Sequence, residues 1–148
     1  MILDKLLQLS NAQAVTDADA YSTNTFDCGD VTPKRQIGDG EPLAICIVVT
    51  TAAGNSGGSF TNTFDFIAVQ SVNANLSSHD EMVKRRVPAA ELVVGAVVVL
   101  DIPIGRPTKR YIGARYELGT GDTITVSAYI IPRSFVPAFI AYANGYAV

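Results

Sequence analysis

Residues 110–131 alternate between apolar and polar side chains twice over. Ile112, Ala114, Tyr116 and Leu118 share one parity in the first run, and Ile124, Val126, Ala128 and Ile130 share one in the second. A period of two belongs to an extended strand and sends Arg115, Glu117, Thr125 and Ser127 to the opposite side. Between the runs lies Gly119-Thr120-Gly121-Asp122, a set of residues that tolerates positive φ. The pattern predicts a hairpin of 110–118 with 123–131, apolar faces turned to a core.

Other segments obey the same rule. Leu43 to Thr50 is β-branched and apolar on both faces, bounded by Gly40-Glu41-Pro42 and by Gly54-Asn55-Ser56-Gly57-Gly58, which predicts an inner strand. Thr61 to Val72 sets Phe64, Phe66 and Ala68 against Thr63, Asp65 and Ile67. Val97 to Pro103 is a short strand ended by Pro103, Gly105 and Pro107. Residues 15–24 read as a loop leading into a first strand at about Tyr21–Asp27. In 80–95, Asp80-Glu81-Met82-Val83-Lys84 looks helical for a turn, Pro88 stops any helix, and a loop with short β pieces is expected. Six or more short strands, Gly/Pro-rich turns and no long helix predict an all-β fold, a jelly-roll-like β-sandwich. The chain of 148 residues fits one domain, with an arm or loop over 1–20, a β core over 21–131 and an aromatic tail over 132–148.

The two ends carry apolar residues with no obvious home. Leu3, Leu6, Leu7 and Leu9 fit either one or two helical turns or an extended arm that packs on a neighbour. Asp4 and Lys5 interrupt that stretch, so it is too short for the core of a signal peptide. The apolar run Leu92 to Ile104 contains Asp101 and is shorter than the roughly 20 residues of a membrane span. In the tail, Phe135, Phe139, Tyr142 and Tyr146 recur at helical spacing, while Pro132 and Pro137 limit a helix before Pro137. Arg133 is the only charge there, so the tail either closes the domain's own core or docks on another subunit.

Charged residues make up 17% of the chain, against about 25% in ordinary soluble domains. Either the core is large, or part of the surface is buried against copies of itself or another protein, where charge is depleted. The net charge of −3 and an isoelectric point near 5.0 argue against general nucleic-acid binding. The one basic run, Lys84-Arg85-Arg86, reads first as a solvated turn, second as a salt bridge to an acidic partner, and only third as a phosphate site.

No motif assembles a catalytic site. Gly54-Asn55-Ser56-Gly57-Gly58 matches G-x-S-x-G, but a nucleophile elbow needs a following helix, and Ser59 to Phe64 is strand-like. A glycine-rich loop between two strands explains the same residues, and no catalytic role is expected of Ser56. His79, the only histidine, sits in a polar loop. Cys28 and Cys46 read as reduced thiols, Cys46 as a core residue, with a single bridge between them as the alternative. Asp17, Asp19, Asp27, Asp30 and Asp39 lie in loops without EF-hand spacing. Gly38-Asp39-Gly40 lacks the lysine and helix of a phosphate-binding loop. No catalytic, cofactor-binding or metal-binding residue is expected, and the reading is of a non-enzymatic protein.

Three stretches in order resemble the small capsid cement (decoration) proteins of short-tailed phages. They are Met1-Ile2-Leu3-Asp4 through Leu9-Ser10-Asn11-Ala12-Gln13-Ala14, then Ile37-Gly38-Asp39-Gly40-Glu41-Pro42-Leu43, then Lys109-Arg110-Tyr111-Ile112-Gly113-Ala114-Arg115-Tyr116. The resemblance covers most of residues 1–131 and does not extend into the tail. It implies a jelly-roll domain forming a symmetric homo-oligomer, a dimer before a trimer. Made in the host cytoplasm, it would sit outside an HK97-type capsid and bridge neighbouring major capsid proteins in the virion. It carries over no catalytic residues and implies neither nucleic-acid nor membrane binding. Leu3, Leu6, Leu7, Phe135, Phe139, Tyr142 and Tyr146 are the expected contacts with another chain. The competing reading is a carbohydrate-binding jelly roll of a phage fibre or a secreted protein. The absence of Trp, and the placement of most Phe and Tyr on core faces or in the tail, weigh against it. A small hydrolase using Ser56 ranks third.

Overall fold

Gly121 turns the chain between the two alternating runs at φ +81°, but the runs do not pair with each other. The computed structural model describes residues 4–16, 19–29, 40–55, 63–103 and 108–143. Among them are nine strands: β1 (Gln8–Thr16), β2 (Ala20–Tyr21), β3 (Phe26–Asp27), β4 (Leu43–Asn55), β5 (Thr63–Ser71), β6 (Asp80–Pro88), β7 (Val97–Asp101), β8 (Tyr111–Glu117) and β9 (Asp122–Pro132). A helix, α1 (Val136–Ala143), follows them. One sheet runs β1-β9-β4-β7. The other runs β2-β8-β5-β6, with β3 also on β8, and every pairing is antiparallel.

The pairing order identifies the architecture. With β2 and β3 counted as one interrupted strand, the first strand pairs with the last, the second with the next to last, and so inward to β5 with β6. A long antiparallel ribbon rolled up in this way is a jelly roll, two sheets face to face. The expected all-β sandwich is therefore the fold of this chain.

The inward faces are those the alternation marks. Ile45, Ile47 and Val49 of β4 and Ile124, Val126, Ala128 and Ile130 of β9 meet Phe64, Phe66 and Ala68 of β5 and Ile112, Ala114 and Tyr116 of β8. Phe66 and Tyr116 pack edge to face, ring centroids 6.1 Å apart. The Tyr116 hydroxyl, wholly inside, shares a 2.8 Å hydrogen bond with the Ser10 hydroxyl, and burial pushes its pKa up.

Four expectations are corrected. The 110–131 hairpin is not one, because β8 and β9 belong to different sheets and face each other across the core. Residues 8–16 are not arm or loop but an edge strand. Two single-residue bulges, between Gln8 and Ser10 and between Ser10 and Gln13, blur its alternation. Residues 80–88 form a full strand rather than a loop. The tail helix starts at Val136 and accepts Pro137 in its first turn, where a missing N–H breaks no helical hydrogen bond.

Candidate functional site

The two outward faces of the sandwich differ in charge. The four strands of the β1-β9-β4-β7 sheet contain Asp101 and Asp122 as their only charged residues. Asp122 is inside, accepting from Asn55 Nδ2 at 2.7 Å and from the Gly119 N–H at 3.1 Å. Asp101 is at the β7 edge, bonded to Arg133 at 2.7 Å. Alternation with the core residues turns Ala14 and Thr16 of β1, Thr123 and Thr125 of β9 and Val48 of β4 outward, so this face presents hydroxyl and methyl groups.

α1 covers one end of that face. Val136 and Phe139 are buried against Ala44, Cys46 and Ile131, with Tyr129 packed alongside and its ring 5.7 Å from that of Phe139. Burial pushes the Cys46 thiol up to about 12, against a smaller opposing pull from Arg133. α1 carries no charge, and Ile140 and the preceding Phe135 are left 37% and 52% exposed. The short turn Lys5–Leu7, its N-terminus capped by the Asp4 carboxylate accepting from the Leu6 N–H, leads into β1 beside β9 and leaves Leu6 82% exposed. Gln8 Nε2 donates to the Tyr129 hydroxyl at 2.9 Å and ties that entry to the helix-covered end.

The opposite face is laced with ion pairs. Asp65, on central β5, receives Arg86 at 2.8 and 3.0 Å and Lys84 at 2.9 Å. The Arg86 hydrogen bonds, then those of Lys84, hold its carboxyl below the usual carboxylate range in spite of its burial. Lys84 also reaches Glu117 at 2.9 Å, and Arg115 joins Glu117 at 3.2 Å to Asp19 at 3.1 Å. The basic run is thus not a solvated turn. It lies on strand β6, and Lys84 and Arg86 are paired within the chain.

A family model matches residues 9–130, from Leu9 in β1 to Ile130 in β9. The chain belongs to the Bbp16 family. The name is phage-associated. No curated protein matches the chain. The matched span takes in all nine strands and leaves out the Lys5–Leu7 turn and α1. The match of this Bbp16 domain therefore spans the uncharged sheet face, while Leu6, Phe135 and Ile140 lie beyond it.

The expected contact residues divide. Leu6 and Phe135 are exposed and Leu7 half-buried. Phe139 is corrected: only 1% exposed, it closes the domain's own core and is not free for a partner. Tyr142 belongs to α1, but its side chain, like Leu3 and Tyr146, lies outside the described residues. The sequence does not single out Ile140, although a helix turns about 100° per residue and so rotates it away from buried Phe139. The exposure of Val93 and Val94 is not legible in the sequence either. The two residues look like core in an apolar run, yet stand 57% and 67% exposed in the loop before β7.

The candidate chemistry disperses. Ser56, Asp17, Asp30 and Asp39 lie outside the described residues. Asp27 holds Arg110 through two 2.9 Å contacts, and Asp19 holds Arg115. Neither Cys28 nor Cys46 is in a disulfide, and Cys28 lies between the sheets and Cys46 outside them under α1. Among the described residues no group of three or more His, Cys, Asp or Glu could hold a metal ion, and no helix is long and apolar enough to cross a membrane.

Proposed function

We propose that this protein is a structural virion component, a cement protein that binds the outside of a phage capsid and stabilises it by bridging major capsid proteins of an HK97-type shell. The observation that carries this reading is the uncharged outer face of the β1-β9-β4-β7 sheet, flanked by exposed Leu6, Phe135 and Ile140, on a domain whose other face is studded with ion pairs. Protein-binding patches are poor in charge at their centre and rich in aromatic and aliphatic anchors. Membership of a phage-associated family points the same way.

A cement protein needs a stiff scaffold with complementary patches rather than a cleft. Its contacts can each be modest, because engagement of several capsid subunits at once raises the effective concentration for each further contact. A symmetric homo-oligomer, a dimer before a trimer, supplies that multivalency, and no step of the role requires catalysis.

The test is co-sedimentation of the purified protein with undecorated capsids of the phage that encodes it, together with capsid thermal stability. Saturable binding at a fixed ratio to the major capsid protein, with a raised capsid melting temperature, is the expected result. Failure to bind, with a hit on a glycan array, would replace this reading by the carbohydrate-binding one.

A further inference from the structure

We propose that His79 is an acid-sensitive latch that holds the 72–79 loop closed only while its ring is neutral.

The loop joins β5 to β6 and folds back over the charged sheet. Leu76, fully buried, packs on Ile67 and Val69. Leu76 and Ser78 sit at φ +60° and +53°, in the left-handed region that any residue with a Cβ occupies at a free-energy cost. Internal bonds offset part of that cost. Ser71 Oγ donates to the Ser77 carbonyl at 2.6 Å, and the Ser77 N–H donates to Asn75 Oδ1 at 3.1 Å.

At the loop's end the half-buried imidazole of His79 is gripped from both sides. Nδ1 lies 2.8 Å from the Tyr21 hydroxyl of β2, with the rings edge to face at 5.3 Å. Nε2 lies 3.1 Å from Arg115 Nη1 of β8. A guanidinium only donates hydrogen bonds. Nε2 therefore accepts from Arg115, and Nδ1 carries the proton and gives it to the Tyr21 oxygen. Protonation would put an N–H on Nε2, aimed at a cation 3.1 Å away.

The carboxylates on the neighbouring elements are already engaged with other cations. From β8, Glu117 holds Arg115 at 3.2 Å, and Asp19, just before β2, holds it at 3.1 Å. Asp80, which opens β6, is paired with Lys109 at 2.7 Å. Two carboxylates fix the guanidinium in place, so the imidazolium is the group that withdraws. It takes with it the anchor of a loop already bearing two left-handed residues.

The experiment is amide hydrogen exchange on the full chain, expressed as protection relative to intrinsic rates at about pH 8 and about pH 5, alongside the 15N shifts of the His79 ring. At the higher pH the ring should show the Nδ1–H tautomer. At the lower pH it should be doubly protonated, and protection of the 72–79 amides should fall by about tenfold or more, with β5 and β8 unchanged. His79→Gln accepts from Arg115 at any pH and should remove the pH dependence. Arg115→Gln can turn its amide to accept from the imidazolium and should preserve protection in acid. A neutral ring at the lower pH, unchanged protection, or the same acid-induced loss in His79→Gln would overturn the proposal.

Discussion

Leu76 fills the space that any side chain at position 113 would need: a Cβ on Gly113 would stand 2.5 Å from Leu76 Cδ1 and 3.0 Å from Ser22 Oγ. Gly113 is in the middle of β8, and the absent side chain lets the 72–79 loop lie flat on the sheet. Gly113→Ala should destabilise the domain by about 1–3 kcal/mol through overpacking. Leu76→Ala should cost about 2–5 kcal/mol through the cavity it leaves. Because the two act at one contact, the double variant should cost clearly less than the sum. Urea unfolding of the four proteins decides the matter, and strict additivity would show that the two positions do not share this contact.

Both thiols should be silent in the native protein and both should react after unfolding. Reaction needs the thiolate, and the Cys46 pKa is pushed up to about 12 beneath α1. Phe139→Ala removes the side chain that caps it, at a cost of about 3–5 kcal/mol if the helix does not resettle. Iodoacetamide labelling read by peptide mass spectrometry should then find Cys46 modified before Cys28, which stays between the sheets. Equal labelling of the two would mean that the variant opens globally and that α1 is not a local cover.

The reach of the sequence was set by the range of the forces involved. Which face of β8 and of β9 turns inward is a local matter of alternation, and Ile112, Ala114, Tyr116 and Ile124 to Ile130 are core as expected. Which strands they pair with is not local. Gly119 to Asp122 is a turn signal that serves a hairpin or a corner between sheets equally well, and the jelly-roll ribbon makes it a corner. In β6 the charges of Lys84 and Arg86 hide a strand, since the acids that neutralise them, Asp65 and Glu117, come from β5 and β8. The contrast between the two outer faces depends on strand order for the same reason. It becomes visible only after β1, β9, β4 and β7 are known to lie side by side.

Acid should weaken the sandwich through Asp65. Its folded carboxyl is held below the ordinary range, so its contribution is present above the unfolded value of about 3.9 and is lost as pH falls through the folded value. Asp65→Asn should therefore lower stability near neutrality by about 1–2 kcal/mol, kept small because Arg86 is largely exposed. The gap between wild type and variant should close as the medium is acidified below about pH 4. A gap constant across pH would assign the loss to packing rather than charge.

Charge placed on the uncharged face should abolish capsid attachment without unfolding the domain. Leu6→Glu and Phe135→Glu alter side chains that are already exposed, and Ala14→Lys adds a cation to β1 opposite Thr125. Each should change the stability of the isolated protein by no more than about 0.5 kcal/mol. Burying such a charge unpaired at an interface costs several kcal/mol, and multivalent attachment multiplies that loss over every contact. Arg85→Gln, on the exposed edge strand of the other sheet, serves as the control with a change of one unit of net charge, as in the other three. Co-sedimentation with undecorated capsids should fall sharply for the first three variants and stay near wild type for the control. If the control alone loses binding, attachment runs through the β6 edge, and the uncharged face has some other occupant.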